Sequence, residues 1–470
     1  MHISLDALRR IVGSSNVLTG EDVSARQADW MTGAACRAGA IVRPADTDEL
    51  SRVMQACHAA RQPVVTHGGL TGLVHGGDAQ PDELVVSLER MTAIEALDEV
   101  GCTLTVQAGA PLQRVQEAAV EAGLQFPLDL GARGSCTIGG NIATNAGGIR
   151  VIRYGMMRQQ VLGLEAVLAD GTVISSLNRM LKNNAGFDLK QLFIGSEGTL
   201  GIVTRAVLRL QPPTPDEQTA LVACPSFDAL TGLLAHMSKS LGGSLGAFEV
   251  MWQNHYRLLT ETSGRHTPPI AVEHPFYVIV ASLGSEAERH GEQFNHALET
   301  ALERELIVDA VVAHSQTQRD ALWAIREDIE GLIQTLAPLF TFDVSLPIAA
   351  MSAYTGQLER AVERCWPQGR LVVFGHLGDG NLHISVSVGS ADPDTRHAVE
   401  RLVYEPLAEL GGSVSAEHGI GTEKRPWLGI SRSAEEIRLM HTLKHALDPL
   451  GLLNRHKVLG HGSTTTSTGN

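Results

Sequence analysis

The sequence predicts an α+β protein of more than one domain, on three observations. The first is length: 470 residues exceed the roughly 250–300 at which a single hydrophobic core stops growing. The second is texture. Short β-type runs separated by glycine-rich segments dominate before residue 202, whereas strands alternate with longer helices beyond residue 215. The third is the break between these regions, Gln211-Pro212-Pro213-Thr214-Pro215, which reads as a linker.

Composition narrows the function. A hydrophobic content of 43%, with 19% charged residues, is that of a soluble globular protein. The net charge of −15 argues against a nucleic-acid partner, which needs clustered Lys and Arg. No apolar run reaches the roughly 18 residues of a membrane span, and the first residues lack the pattern of a secretory signal. Cys36, Cys57, Cys102, Cys136, Cys224 and Cys365 are scattered without C-x-x-C spacing, as expected of reduced thiols in a cytoplasm. The 48 glycines are the anomaly, and they point to backbone packed closely against something large.

In chain order, residues 5–12 read as a short helix and a strand ends at Val42-Arg43-Pro44-Ala45. Asp46 caps a helix through Arg61, whose stripe is Thr47, Leu50, Val53, Met54 and Cys57. Strands follow at 63–66, 83–88 and 103–107, then a helix at 112–122 and a hairpin around Asp170-Gly171. After the linker come helices at 226–240, 286–304, 318–336 and 394–410, with strands at 276–283, 307–314 and 343–346. The expected divisions are a helical lead-in at 1–36, domains at 37–212 and 213–410, a closing segment at 411–460, and a disordered tail at 461–470.

The chemistry concentrates in Gly375-His376-Leu377-Gly378-Asp379-Gly380-Asn381-Leu382-His383. Leu371–Phe374 precedes this stretch, and Leu382, Ile384, Val386 and Val388 alternate with polar residues after it, so a hairpin is expected. Its glycines and Asn381 would supply the positive-φ positions. Such a hairpin brings both imidazoles to one point, where they either hold a metal or cap a polar turn. A metal needs a third ligand, and Ser415-Ala416-Glu417-His418-Gly419 offers a carboxylate beside an imidazole that could act as base. Mixed N/O ligation suits zinc, with Mn, Co or Fe also fitting.

Three small-residue segments precede the linker. Gly68-Gly69-Leu70-Thr71-Gly72 follows a strand but fits neither a Rossmann nor a P-loop fingerprint, although successive amides can cradle a phosphate. The block 135–148 has four Gly, two Asn and two Thr without a charge, which suits close approach to a large flat ligand. The third segment is Ile194-Gly195-Ser196-Glu197-Gly198-Thr199-Leu200-Gly201-Ile202.

These segments, with Pro127-Leu128-Asp129 and Tyr154-Gly155, resemble the FAD domain of the vanillyl-alcohol-oxidase superfamily. The hairpin, the 415–421 stretch and Leu453-Asn454-x-x-Lys457 are similar to its branch of FAD-linked D-2-hydroxy-acid dehydrogenases. Asn183-x-x-Gly186-x-Asp188-Leu189-Lys190 and Asp343-Val344-Ser345-Leu346-Pro347 bring it nearest the hydroxyglutarate members of that branch.

The resemblance implies a two-part FAD-binding domain, a substrate domain with an antiparallel sheet covered by helices, and a C-terminal helical segment returning to the flavin. It implies FAD contacts from His67, Gly68, Gly69, Leu70, Thr71, Gly72 and Leu73. Further contacts are implied from Asp129, Ser135, Thr137, Gly139, Gly140, Asn141, Thr144, Asn145, Gly147 and Gly148, then Glu197, Gly198, Gly201, Ile202 and Asn454. His67 and His75 themselves read as structural. Leu70 stands where some superfamily members carry the histidine that binds FAD covalently, so non-covalent FAD is expected. The implied metal ligands are His376, His383 and Glu417; His418 is the base, with Asn381 and Arg326 orienting the acid.

The implied reaction is oxidation of D-2-hydroxyglutarate to 2-oxoglutarate by hydride transfer from C2 to flavin N5. Electrons would leave to an acceptor such as electron-transfer flavoprotein or a quinone, and a homodimer is allowed. Where mammalian-type hydroxyglutarate enzymes carry a threonine one helical turn beyond the arginine, this chain has Glu330; where they carry a lysine it has Thr341. Both changes weaken the hold on a distal carboxylate and admit a D-lactate or glycolate dehydrogenase as the alternative. A non-catalytic flavin subunit would be expected to lack the metal and base residues, and all four are present.

Overall fold

Leu50, Val53, Met54 and Cys57 form the buried face of the helix Thr47–Ala60, which Asp46 caps by accepting from the Glu49 amide at 2.8 Å. Burying such a face contributes about 1.5–3 kcal/mol per large side chain. The computed structural model describes residues 1–29 and 33–460, so the tail expected at 461–470 lies outside the described residues. Two compact units result. Among the described residues, one comprises 1–148, 155–213 and 417–460; the other comprises Ile149–Tyr154 and Thr214–Ala416.

The first unit holds two sheets among the described residues. In one, the parallel strands Ala40–Val42, Leu84–Ser87 and Val64–His67 lie side by side, with Val17–Leu18 antiparallel at the edge. The other is an antiparallel five-stranded sheet ordered 94–98, 103–107, 202–209, 161–167, 173–176. Helix Thr47–Ala60 and Ile138 and Ile142 of the short helix Ile138–Thr144 pack into one core. That short helix was not expected. Thr137 caps it, and the glycine-rich composition of 135–148 conceals its apolar pair.

The second unit is built on an antiparallel sheet of seven strands among the described residues. Running to one edge of it are Phe276–Gly284, Leu245–Trp252, Arg370–His376, Asn381–Ser387 and, at the edge itself, Phe340–Ser345, in that order. One face packs against helices Gln316–Glu327 and Ile329–Leu336 through Leu322, Trp323, Ile325, Leu332 and Leu336. The long helix Ile348–Cys365 is a further element that the sequence did not disclose.

Two expectations need correction here. The helix expected over 318–336 is broken at Asp328, which has φ −76° and ψ 64°. There the carboxylate turns back to cap the second helix at the Gly331 amide and pairs with Arg265 Nε at 2.6 Å. In the hairpin turn, Gly380 alone of the residues named takes positive φ, at 84°; Asn381 is already in the strand. Gly378 is needed for another reason, because a Cβ there would collide with Ile152.

Candidate active site

In the first unit, the loop after strand Val64–His67 leaves at the carboxyl end of a parallel strand, the usual edge for ligand binding in such sheets. Leu70 and His75 hold positive φ values of 54° and 60° within it. A cavity of about 510 Å³ opens between Gly69-Leu70-Thr71 and Gly131, Ala132 and Ser135. A second, of about 250 Å³, is lined by His67, Gly68 and Leu70 with Ser87 and Glu89. Gly72 and Gly131 face open space, whereas a Cβ on Gly139 would sit 2.7 Å from Ala108 Cβ. Some of the glycines thus serve the packing of the chain on itself, and others border a cavity wide enough for an extended ligand.

The candidate side chains of this unit divide in the same way. His67 Nε2 lies 2.7 Å from the Gly77 carbonyl, and burial pushes this ring down to about 4, so it is neutral. His75 is ion-paired, with Nδ1 3.4 Å from Asp29 and 3.5 Å from Asp78, and its hydrogen bond to Asp78 raises its pKa. Thr137, Thr144 and Asn145 are engaged with Gly140, the Gly140 carbonyl and the Arg158 amide. Asn141 donates to Cys136 Sγ, and Asp129 bridges to Gly148 along the backbone. Ser135 lines the larger cavity. A cofactor here would therefore meet mostly backbone amides and the loop residues 68–73.

Asn454 and Glu197 tie the C-terminal segment to this unit. Asn454 Oδ1 accepts from the Thr66 amide at 3.0 Å, its Nδ2 donates to the Glu197 carbonyl at 2.6 Å, and its amide donates to Val64. Glu197, at φ 51°, accepts from the amides of Ile420 at 2.7 Å and Gly421 at 2.8 Å. Burial nevertheless raises its pKa. Gly198 holds φ 71° against the Asn454 amide group, and Gly201 packs on Phe193 at the start of strand Ile202–Arg209. Glu417 Oε1 accepts from the Gly148 amide at 2.9 Å, next to Gly147. His418 follows, so both residues belong to the first unit.

The second unit assembles His376, His383, Asn381 and Arg326. Period-2 geometry and register decide this. Glu249 pairs with His376, and two residues along, Phe374 pairs with His383, which in turn pairs with Asp343. These side chains therefore share one face of the sheet. His376 and His383 meet Nε2 to Nε2 at 3.1 Å. On its other side His376 Nδ1 lies 2.8 Å from Glu249 Oε1, and Glu249 Oε2 lies 2.8 Å from Arg326 Nη2. Arg326 also stacks over Phe374 at 4.6 Å. Asn381 donates to Asp343 Oδ1 at 2.9 Å, and the Ala416 amide donates to Asp343 Oδ2 at 3.1 Å.

Glu249, 1% exposed, is the residue sequence reasoning missed. Burial alone would raise its pKa, but His376 and Arg326 outweigh burial and hold it below the usual carboxylate range. Its signal was available: a lone carboxylate inside the apolar run Leu245-Gly246-Ala247-Phe248-Glu249-Val250-Met251-Trp252. His255, its ring centroid 4.5 Å from that of Phe374 and tilted by 39°, was missed too, and burial pushes it down to about 3. Asn381 Oδ1 and Arg326 Nε are buried without a hydrogen-bond partner. Orphaned polar atoms beside a pair of facing imidazoles suit a site that receives a polar ligand. Paired nitrogens, one ring fixed by a carboxylate, suit a divalent ion as well. Glu330, expected near Arg326, is instead exposed beyond the Asp328 break and accepts from Gln334 at 2.8 Å.

Two protein families match along the chain. Residues 38–176 match the FAD binding domain family, and residues 214–458 match the C-terminal domain of FAD linked oxidases. The mitochondrial D-2-hydroxyglutarate dehydrogenase of Bos taurus is 39% identical, the alignment covering 97% of this chain and 83% of the relative. The D-2-hydroxyglutarate dehydrogenase of Xanthomonas citri pv. viticola is 42% identical over 89% of each chain. A mitochondrial protein of Schizosaccharomyces pombe bearing a D-lactate dehydrogenase name is 37% identical, over 93% of this chain and 85% of that one. In fold, p-cresol methylhydroxylase with substrate bound superimposes with a TM-score of 0.76 at 15% identity, covering 96% of this chain and 95% of that one. Among the described residues no helix is long and apolar enough to cross a membrane. The chain belongs to the FAD-linked oxidases and, within them, to the FAD-dependent D-2-hydroxy-acid dehydrogenases of the D-2-hydroxyglutarate dehydrogenase type.

Proposed function

We propose that this dehydrogenase oxidises D-2-hydroxyglutarate to 2-oxoglutarate at a metal-assisted site. The observation that carries the reading is the row Glu249–His376–His383 on one sheet face, met by Arg326 from the helix Gln316–Glu327, with two imidazole nitrogens directed at each other. His376 and His383 would hold the ion, zinc or else Mn, Co or Fe. Glu417 is the third ligand, supported by its place directly after Ala416, whose amide is fixed to Asp343. When bound, the ion supplies a Lewis acid for the C2 hydroxyl, and FAD supplies the hydride acceptor at its N5.

The chain's own residues do the rest. His418 accepts the hydroxyl proton on a ring nitrogen. Arg326 attracts the substrate carboxylate, and Asn381, with its free Oδ1, orients the polar groups of the acid. Loop 67–73, the 129–148 block, the 197–202 turn and Asn454 would enclose FAD, and Leu70 leaves it non-covalent. Electron-transfer flavoprotein or a quinone would reoxidise it, and a homodimer is part of the same reading. A cytoplasmic location is supported by six free thiols, although the names of the cattle and fission-yeast relatives place those proteins in mitochondria.

A D-lactate preference is the second reading, and Thr341 favours it because it leaves the distal carboxylate without a lysine. The test is kcat/KM for D-2-hydroxyglutarate, D-malate and D-lactate. The proposal expects the five-carbon diacid to lead, with lower activity on the other two. A chain that prefers D-lactate would overturn it.

A further inference from the structure

We infer that Glu249 is a positioning residue that sets two groups of the site at once, His376 and Arg326. The inference deepens the metal-assisted reading and rests on it. Each carboxylate oxygen has a different charged or polar partner: Oε1 lies 2.8 Å from His376 Nδ1 and Oε2 lies 2.8 Å from Arg326 Nη2. A hydrogen on Nδ1 donated to Glu249 leaves the lone pair of a neutral His376 on Nε2, which is the atom that faces His383 at 3.1 Å. The same carboxylate stops the Arg326 guanidinium from swinging along the sheet, where Phe374 supports its flat face at 4.6 Å.

The strand register makes the arrangement stiff. Glu249 and His376 are directly paired on adjacent antiparallel strands, and Glu249 is 1% exposed. Water cannot replace either partner. One side chain therefore links the orientation of an imidazole ligand to the orientation of the group that attracts the substrate carboxylate.

The substitution Glu249→Gln tests this, since a glutamine of the same size has one oxygen and no charge, where the carboxylate gives His376 a hydrogen-bond partner and Arg326 a counter-charge. Either His376 or Arg326 then faces an N–H. Metal affinity is measured on chelator-stripped holoenzyme by titrating Zn²⁺ against a chromophoric competitor, with flavin absorbance as the control for folding. A lost outer carboxylate typically weakens metal binding about 10–100-fold. The expected result is a Kd raised in that range, a KM for D-2-hydroxyglutarate raised about tenfold, and unchanged FAD content. Glu249→Asp, which keeps the charge on a shorter arm, should lie between the two and substitutes for the Gln variant if that one is insoluble. A variant with the parent's Kd and the parent's KM overturns the inference. A parent that binds no Zn²⁺ overturns the underlying metal reading, and the inference with it.

Discussion

His376 and His383 face each other across a four-residue turn with their Nε2 atoms 3.1 Å apart. Two neutral imidazoles would share one hydrogen bond at that separation, and two ligands of one ion also stand about this far apart for bonds of roughly 2.0–2.1 Å. The protein as purified from metal-containing medium should hold about one equivalent of divalent ion. His383→Ala should lose it while keeping its flavin, as read by elemental analysis beside the flavin spectrum. Equal metal content in parent and variant would show that the pair is only a polar cap to the hairpin.

His418 begins the segment whose next amides, Ile420 and Gly421, are clamped by Glu197. His418→Ala should reduce the rate of flavin reduction by about 10²–10⁴, the usual cost of losing a general base. Metal content should stay near that of the parent. Anaerobic stopped-flow bleaching measures this step alone, and a parental rate in the variant would move the base elsewhere.

Leu70 lines both cavities of the first unit and offers no nucleophile to a flavin. Acid precipitation should therefore release FAD into the supernatant. Yellow colour retained by the pellet would reveal a covalent bond and contradict the assignment at this position.

Asp328 supplies a pH dependence of stability. Burial alone would raise its carboxyl, but Arg265, the Gly331 amide and His266 outweigh burial and hold it down to about 2. Its folded value lies below the unfolded value of about 3.9. The stabilisation is therefore complete above that unfolded value and is lost as pH falls toward 2. Asp328→Asn, which keeps the helix cap, should cost about 1 kcal/mol at pH 7, because the Arg265 partner is partly exposed and screened. Parent and variant melting curves should converge between pH 4 and 2; a constant gap would locate the effect outside the ionised pair.

The hairpin at 371–388, the helix 47–60 and the glycine-rich loops were legible because each is a local pattern of period, cap or turn. Glu249 stands out as a lone carboxylate in an apolar run, but its role was not legible, because its partnership with His376 spans 127 residues and depends on a register between strands that no local pattern encodes. The break at Asp328 was hidden for a similar reason. The apolar periodicity runs through it, while its cause, Arg265, lies 63 residues earlier. Glycine was ambiguous in itself: Gly72 faces open space and Gly139 meets Ala108, yet both read alike in sequence. Arg326 was legible as a candidate, but its buried counter-charge was not.

D-2-hydroxyglutarate is expected to reduce the flavin of this protein at a site that needs a divalent ion. The most direct measurement mixes anaerobic enzyme with D-2-hydroxyglutarate and follows flavin bleaching in three samples: as purified, chelator-stripped, and stripped then reloaded with Zn²⁺, Mn²⁺ or Co²⁺. The expected result is rapid bleaching in the first, a loss of at least about 10²-fold in the second, and recovery in the third with at least one ion. Bleaching of the stripped enzyme at the rate of the untreated one would contradict the account.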